Sequence, residues 1–408
     1  MTMASSENLR YRSLDFWRGV ACLLIIVFHT TFYTATESLD GRFKQLQGLS
    51  AAEGLLWATS RFWIGVPMFF VISGYCIAAA ADSHRLQGLP LALYFKRRFR
   101  RIYPPLWLSL AILVSSVAGA EYLWTGIFAD DNHPVLRPWE VPWYGWFSSL
   151  TLTETWRRHF IEGKSAMLFA HLWTLCYEEQ FYIAVGALLA IGKRRFFTAA
   201  LGLTVWVLLV CAVIPLRFTY GFFFDGLWLQ FAAGMAVFYA IHYCGATGRR
   251  LIVVTLMSAL AYQLRNLGAL TAFLSTPAQS FTVAFAFALL LLFLRRRDHR
   301  IHGARWARPV ARCGQMCYSV YLAHWPIAKL LSHMLFMGGA KSAGVTLALT
   351  VPLSLTVCLV AGWGFHRTIE RRFLNGPPRR SGRTADKARG ATAASSGSWT
   401  KGTPGSPA

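Results

Sequence analysis

Asp15, Arg18 and His29 lie in one apolar stretch, and their types and spacing could handle protons and anions. Residues 11–33 read YRSLDFWRGVACLLIIVFHTTFY, with the length and polarity of a membrane-crossing helix. Ionisable groups are costly in hydrocarbon, so they usually face a bundle interior or a wet cavity. On a helix, Arg18 and His29 fall about 20° apart around the axis and about 16 Å apart along it. Asp15 lies one turn before Arg18, within the same sector. A polar stripe is therefore expected from the start of this helix to near its far end. An imidazole there suits general acid–base work near neutral pH. The competing reading is an arginine snorkelling at the interface and a histidine bonded to a neighbouring helix.

A second constellation is HLWTLCYEEQFY at 171–182. His171 and Glu178 share a helix face, about 20° apart and about 10 Å along the axis. Tyr182 continues that stripe, and Glu179 points about 80° from His171. Glu178 is therefore the expected inward carboxylate. If the first span starts near Leu14, His29 lies about 8 Å from the outer boundary of a ~30 Å core. Glu178 would lie about 10 Å below the same boundary, so the two are expected to meet in one outward-leaning cavity.

Three further segments carry candidate chemistry. FKRRFRRIYPP at 95–105 is either an anchor on the inner face or a site for phosphates, which planar guanidinium groups suit. Its two prolines are expected in the first turn of a helix. FWIGVPMFFVISGY at 62–75 interrupts an apolar helix with Gly65, Pro67, Ser73 and Gly74, which suits close packing or a cavity wall. CYSVYLAHWP at 317–326 places His324 early in a span, as a packing or donor-contacting histidine. Trp139, Trp143, Trp146 and Trp156 suit an interfacial belt or sugar stacking.

The elements that must position these groups follow from composition. The 408 residues are 55% hydrophobic and 14% charged, well below the share of charge in soluble domains. The expected fold class is all-α, a polytopic membrane helical bundle of about ten transmembrane helices. The spans fall near 14–34, 57–81, 101–119, 171–192, 196–215, 222–243, 251–270, 278–294, 318–338 and 344–366. The aromatic stretch 142–158 is too short for an eleventh and is expected to be interfacial or re-entrant.

The net charge of +23 comes largely from short basic segments between apolar runs, such as FKRRFR and LRRRDHRIHGARWARPVAR. The positive-inside rule then places both termini in the cytoplasm and the acidic loop 120–170 outside. No nucleic-acid motif accompanies the charge, so nucleic-acid binding is set aside. Residues 1–374 are expected to form the membrane domain and 375–408 a basic disordered tail. The eight cysteines show no zinc spacing and imply no disulfide framework. No metal and no cleavable signal peptide are expected.

Taken together in order, RSLDFWRG with the ten residues between Arg18 and His29, FFVISGY, RRFRRIYP, HLWTLCYEEQFY and YSVYLAHWP resemble the acyltransferase-3 family. These are integral membrane O-acyltransferases that O-acetylate polysaccharides and other surface molecules. The resemblance runs from Arg12 to about Phe373. It implies a bacterial inner-membrane enzyme with a cytosolic acyl-CoA donor, usually acetyl-CoA, and a glycan or glycolipid acceptor reached from outside.

It also implies a catalytic His29 with Arg18 in the same motif, and roles for Arg97, Arg98 and Arg101 at the donor phosphates. His171 and Glu178 match polar positions of the family's membrane core, and Glu178 is the expected orienting partner of His29. Thr174 stands where the family commonly has Ser. Many members carry an extracytoplasmic hydrolase-like domain after the last span; none is expected here. The alternative outside enzymes is a transporter or flippase of a lipid-linked glycan, with the buried charges as its path.

Overall fold

Backbone polar groups in hydrocarbon must be satisfied within their own segment, which favours helices. The computed structural model describes residues 11–38, 48–123, 125, 137–161, 170–266 and 278–374, and every regular element among them is helical. In chain order the main helices are α1 (Leu14–Ser38), α2 (Ala51–Thr59), α3 (Gly65–Leu86), α4 (Leu91–Leu123), α5 (Trp143–Thr151), α6 (Glu154–Phe160) and α7 (Trp173–Ile191). They continue with α8 (Phe196–Val213), α9 (Leu227–His242), α10 (Ala246–Asn266), α11 (Ala278–Leu294), α12 (Ala307–Gln315), α13 (Cys317–Met337) and α14 (Val351–Phe365).

Six stretches are long and apolar enough to cross a membrane: Leu14–Phe32, Ala51–Leu86, Leu91–Leu123, Phe196–Val213, Gln279–Gly303 and Ala343–Phe373. Helices also occupy the other four expected segments, but they are shorter (α9) or more polar (α7, α10 and α13). The expected tail 375–408 and the end of the expected span 251–270 lie outside the described residues. So do 126–136 and 162–169 of the acidic loop 120–170.

Two glycine pairs set the tightest crossings. A Cβ at Gly74 of α3 would land on the Phe231 carbonyl of α9, and one at Gly234 on the Val71 carbonyl of α3. Likewise a Cβ at Gly19 of α1 would strike the Val310 carbonyl of α12, and one at Gly314 the Asp15 carbonyl. Without a hydrophobic drive between helices in lipid, such backbone approach is a main source of association. Beneath α3 and α9, Phe70, Tyr177, Phe181, Trp228 and Phe231 form an edge-packed aromatic core. The start of α1 is fixed from a distance. Asp298 accepts the backbone N–H of Arg12 at 2.8 Å and of Ser13 at 2.9 Å, donors that the first helical turn leaves unpaired.

Two expectations change. Pro104 and Pro105 do not sit in a first turn: α4 begins at Leu91, so they lie inside a 33-residue helix and remove two backbone donors just after the basic cluster. The basic cluster is thus itself helical. The stretch 142–158 folds as α5 and α6, of nine and seven residues, neither long enough to cross. Leu152 joins them in the left-handed region, at φ 57°, with its side chain buried.

Candidate functional site

Arg18, Ile25 and His29 are seven and four residues apart on α1, so one face presents all three. That face lines a cavity of about 570 Å³ enclosed with α3, α4, α6, α7 and α13. The turn Ala170–Leu172 contributes His171, and α7 after it contributes Glu178 and Tyr182, in the opposite chain direction. The order of these groups divides the cavity into a guanidinium end, a carboxylate middle and a histidine end.

At the guanidinium end, Arg18 donates to Asp15 and to the Cys76 sulfur, each at 2.8 Å. Arg98 lies over the rings of Tyr182, at 5.0 Å, and Tyr94, at 5.7 Å. Arg101 also lines the cavity, and it makes no hydrogen bond or salt bridge among the described residues. Three cations gathered on one wall, one of them without a directional partner, suit an anionic ligand with several acceptor oxygens.

In the middle, Glu178 accepts the Ser73 hydroxyl at 2.8 Å and the Tyr182 hydroxyl on the same oxygen. Glu178 and His29 line the same cavity, as expected, but the carboxylate's hydrogen bonds go to Ser73 and Tyr182 and not to the imidazole. The depth arithmetic placed the two groups at similar heights but could not give their azimuth, and α7 turns Glu178 toward α3. Glu179 points away from the cavity and accepts the Tyr103 hydroxyl at 3.1 Å, so the inward carboxylate is Glu178.

At the far end three imidazoles converge. The His29 and His324 ring centres are 5.4 Å apart, and those of His324 and His171 are 5.5 Å apart. His171 stacks on Trp325 and meets Tyr321 edge-on. Tyr321 in turn donates to the His171 carbonyl at 2.7 Å and accepts the Thr174 hydroxyl at 3.1 Å. Thr174 thus supplies the hydroxyl that a serine would.

The cavity gathers the expected Arg18, Arg98 and Arg101, then Ser73, Glu178 and Tyr182, and finally the three histidines. Asp15 and Arg97 stay outside its wall. Asp15 acts on the cavity through Arg18, whereas Arg97 is half-buried and does not line the cavity.

The sequence reading missed Glu154 and Arg157. Both are buried, line the cavity from α6, and pair through Arg157 Nε at 3.0 Å. Ser148 donates to the second Glu154 oxygen. Their i,i+3 spacing in an aromatic stretch was the available signal. The aromatic groups differ too. Trp139 and Trp143 are exposed, while Trp173, Trp325 and Tyr220 line the cavity.

Tyr220 is held by its neighbour Gly221, at φ +97°. The Gly221 N–H donates to Tyr177 at 2.7 Å, and its carbonyl accepts from Gln180 at 2.8 Å and Thr155 at 3.0 Å. A Cβ there would strike the Thr155 carbonyl, so glycine is required.

Comparison with known proteins decides the family: the acyltransferase-domain family matches residues 11–366. The chain belongs to this acyltransferase family. A candidate membrane-bound transacylase, BcsY, of Komagataeibacter xylinus is 27% identical over 365 residues, covering 85% of this chain and 80% of that protein. The peptidoglycan O-acetyltransferase OatA of Listeria monocytogenes is 25% identical over 223 residues, covering 51% of this chain and 31% of OatA. A Staphylococcus aureus protein described as a candidate O-acetyltransferase is 28% identical over 201 residues, covering 46% of this chain and 27% of that protein. The acyltransferase thus spans under a third of the length of these last two. No solved structure matches the chain.

Proposed function

We propose that this acyltransferase moves an acyl group, acetyl in the first instance, from cytosolic acyl-CoA to a hydroxyl of a cell-surface glycan or glycolipid. The observation that carries the reading is one cavity joining a guanidinium end to a histidine end. In this reading the chain crosses a bacterial inner membrane ten times with both termini in the cytoplasm. The guanidinium end then faces the donor and the histidine end the outer side.

The donor phosphates meet Arg101 first, with Arg18 and Arg98 beside it. Arginine forks match phosphate oxygens better than they match a neutral ligand. The thin pantetheine arm lies along the apolar wall of Ile25, Phe69 and Ile72. The rise of about 16 Å between Arg18 and His29 lets the thioester approach the imidazoles while the phosphates stay at the basic end. Glu178, held by Ser73 and Tyr182, balances the cations and ties α3 to α7. The acceptor enters past Trp325, Trp173 and Tyr220, and its hydroxyl meets the histidines, where His29 handles protons at the reacting centre.

The test uses inverted membrane vesicles given acetyl-labelled acetyl-CoA, with the parent protein and His29→Ala. Label reaching glycan or glycolipid only with intact His29 is the expected result. Equal labelling by both proteins, or none by either, would overturn the reading.

A further inference from the structure

His324 enters the histidine end from α13, and its proton is fixed by its own helix. Nδ1 lies 2.7 Å from the Tyr321 carbonyl oxygen and 3.2 Å from that of Val320. A carbonyl only accepts, so Nδ1 must carry the hydrogen, and in the neutral ring Nε2 carries the lone pair. That Nε2 is buried and has no hydrogen-bond partner among the described residues. The residue is 2% exposed and lines the cavity. Cys358 of α14 also approaches the His324 carbonyl, at 3.6 Å from its sulfur.

His29 differs. It makes no hydrogen bond among the described residues, so nothing there selects its tautomer, and its ring centre is 5.4 Å from that of His324. A buried, preoriented lone pair beside a second imidazole is an arrangement for taking a proton at a defined point.

We propose that His324 is a second catalytic residue, its Nε2 accepting the proton of the acceptor hydroxyl while His29 protonates the departing CoA sulfur. The inference rests on the acyl-transfer reading. The hydroxyl oxygen attacks the thioester carbonyl as its proton passes to His324 Nε2. Collapse of the tetrahedral intermediate completes the ester C–O bond and breaks the C–S bond. The proton on His324 passes to the neighbouring His29, and the His29 imidazolium gives it to the sulfur as it leaves. Both rings end neutral, and the products are ester and thiol. The fixed ring is assigned the base role because its lone pair needs no reorientation, and the free ring can donate from either nitrogen.

The experiment compares parent, His324→Gln and His324→Gly proteins in inverted vesicles, with labelled acetyl-CoA and the endogenous glycan and glycolipid as acceptors. His324→Gln should lower turnover at saturating donor by about 100-fold or more, with the donor KM within about threefold of the parent, as expected for a lost general base. Added imidazole should restore at least about tenfold of the lost rate to His324→Gly, which leaves room for it, and nothing to His324→Gln.

Turnover by His324→Gln within about threefold of the parent would overturn the assignment. A loss in both variants that imidazole does not relieve would also overturn it and make His324 a packing residue. Absence of transfer by the parent itself would remove the function and this inference together.

Discussion

At one end of the cavity Arg18 leans on Asp15 and Cys76, and Arg98 on two tyrosine rings. At the other end His324 holds its proton against two carbonyls, and His29 has no hydrogen bond among the described residues. The first end spreads positive charge over flexible side chains. The second fixes the position of a single proton. Binding a polyanion tolerates adjustment, since several cations share the load, whereas proton transfer depends on one lone pair at one point. Substitutions at the two ends should therefore fail in different kinetic parameters.

The largest effect is expected at the histidine end. His29→Ala should lower turnover about 1,000-fold while leaving donor affinity near that of the parent. Single-turnover labelling with saturating donor separates these quantities. A variant that lost donor binding instead would move His29 to the binding side of the comparison.

Next comes Arg101→Gln. A hydrogen bond to a charged group is worth about 1.5–3 kcal/mol, so the donor KM should rise by about 10- to 100-fold. Turnover at saturation should change far less. Titration of donor against initial rate checks this, and a fall in turnover with KM unchanged would place Arg101 in the chemistry. Ser73→Ala should be milder. Glu178 keeps the Tyr182 hydroxyl, and one neutral–charged hydrogen bond is lost at a partly exposed site. About tenfold lower activity is expected, the low end of the range for a bond to a charged group. A loss as large as that of His29→Ala would mean that Glu178 acts on the reaction directly.

Much of this division was legible in the sequence, because helical spacing fixes which residues of one helix share a face. Arg18 and His29, or His171, Glu178 and Tyr182, needed only the 3.6-residue period. The family motifs then gathered residues from separate helices. What the period could not give was the partner across the gap. Glu178 and His29 had matching depths, yet Glu178 bonds Ser73 and His29 lies beside His324, since the contacts depend on how α1, α7 and α13 are rotated. The prolines of α4 misled for a related reason. A helix was expected to begin beside them, but it had already run 13 residues from Leu91, with the basic cluster on its surface. Glu154 and Arg157 were hidden by their place in a segment too short to span, where an i,i+3 ion pair looks like surface charge.

The smallest effect is expected at Arg97, and it sharpens the comparison most economically. The resemblance to the family groups Arg97 with Arg98 and Arg101, but on a helix Arg97 lies about 100° from Arg98 and about 40° from Arg101. The structure turns the latter two into the cavity and leaves Arg97 off its wall. A half-buried arginine outside the site should behave as a surface substitution does, within about ±0.5 kcal/mol. Arg97→Gln should therefore keep the donor KM within about twofold of the parent. Measured beside Arg101→Gln in the same vesicles, it separates a local phosphate contact from a general basic attraction. If the two variants raised KM equally, the donor would be held by the net charge of the segment rather than by the guanidinium groups that line the cavity.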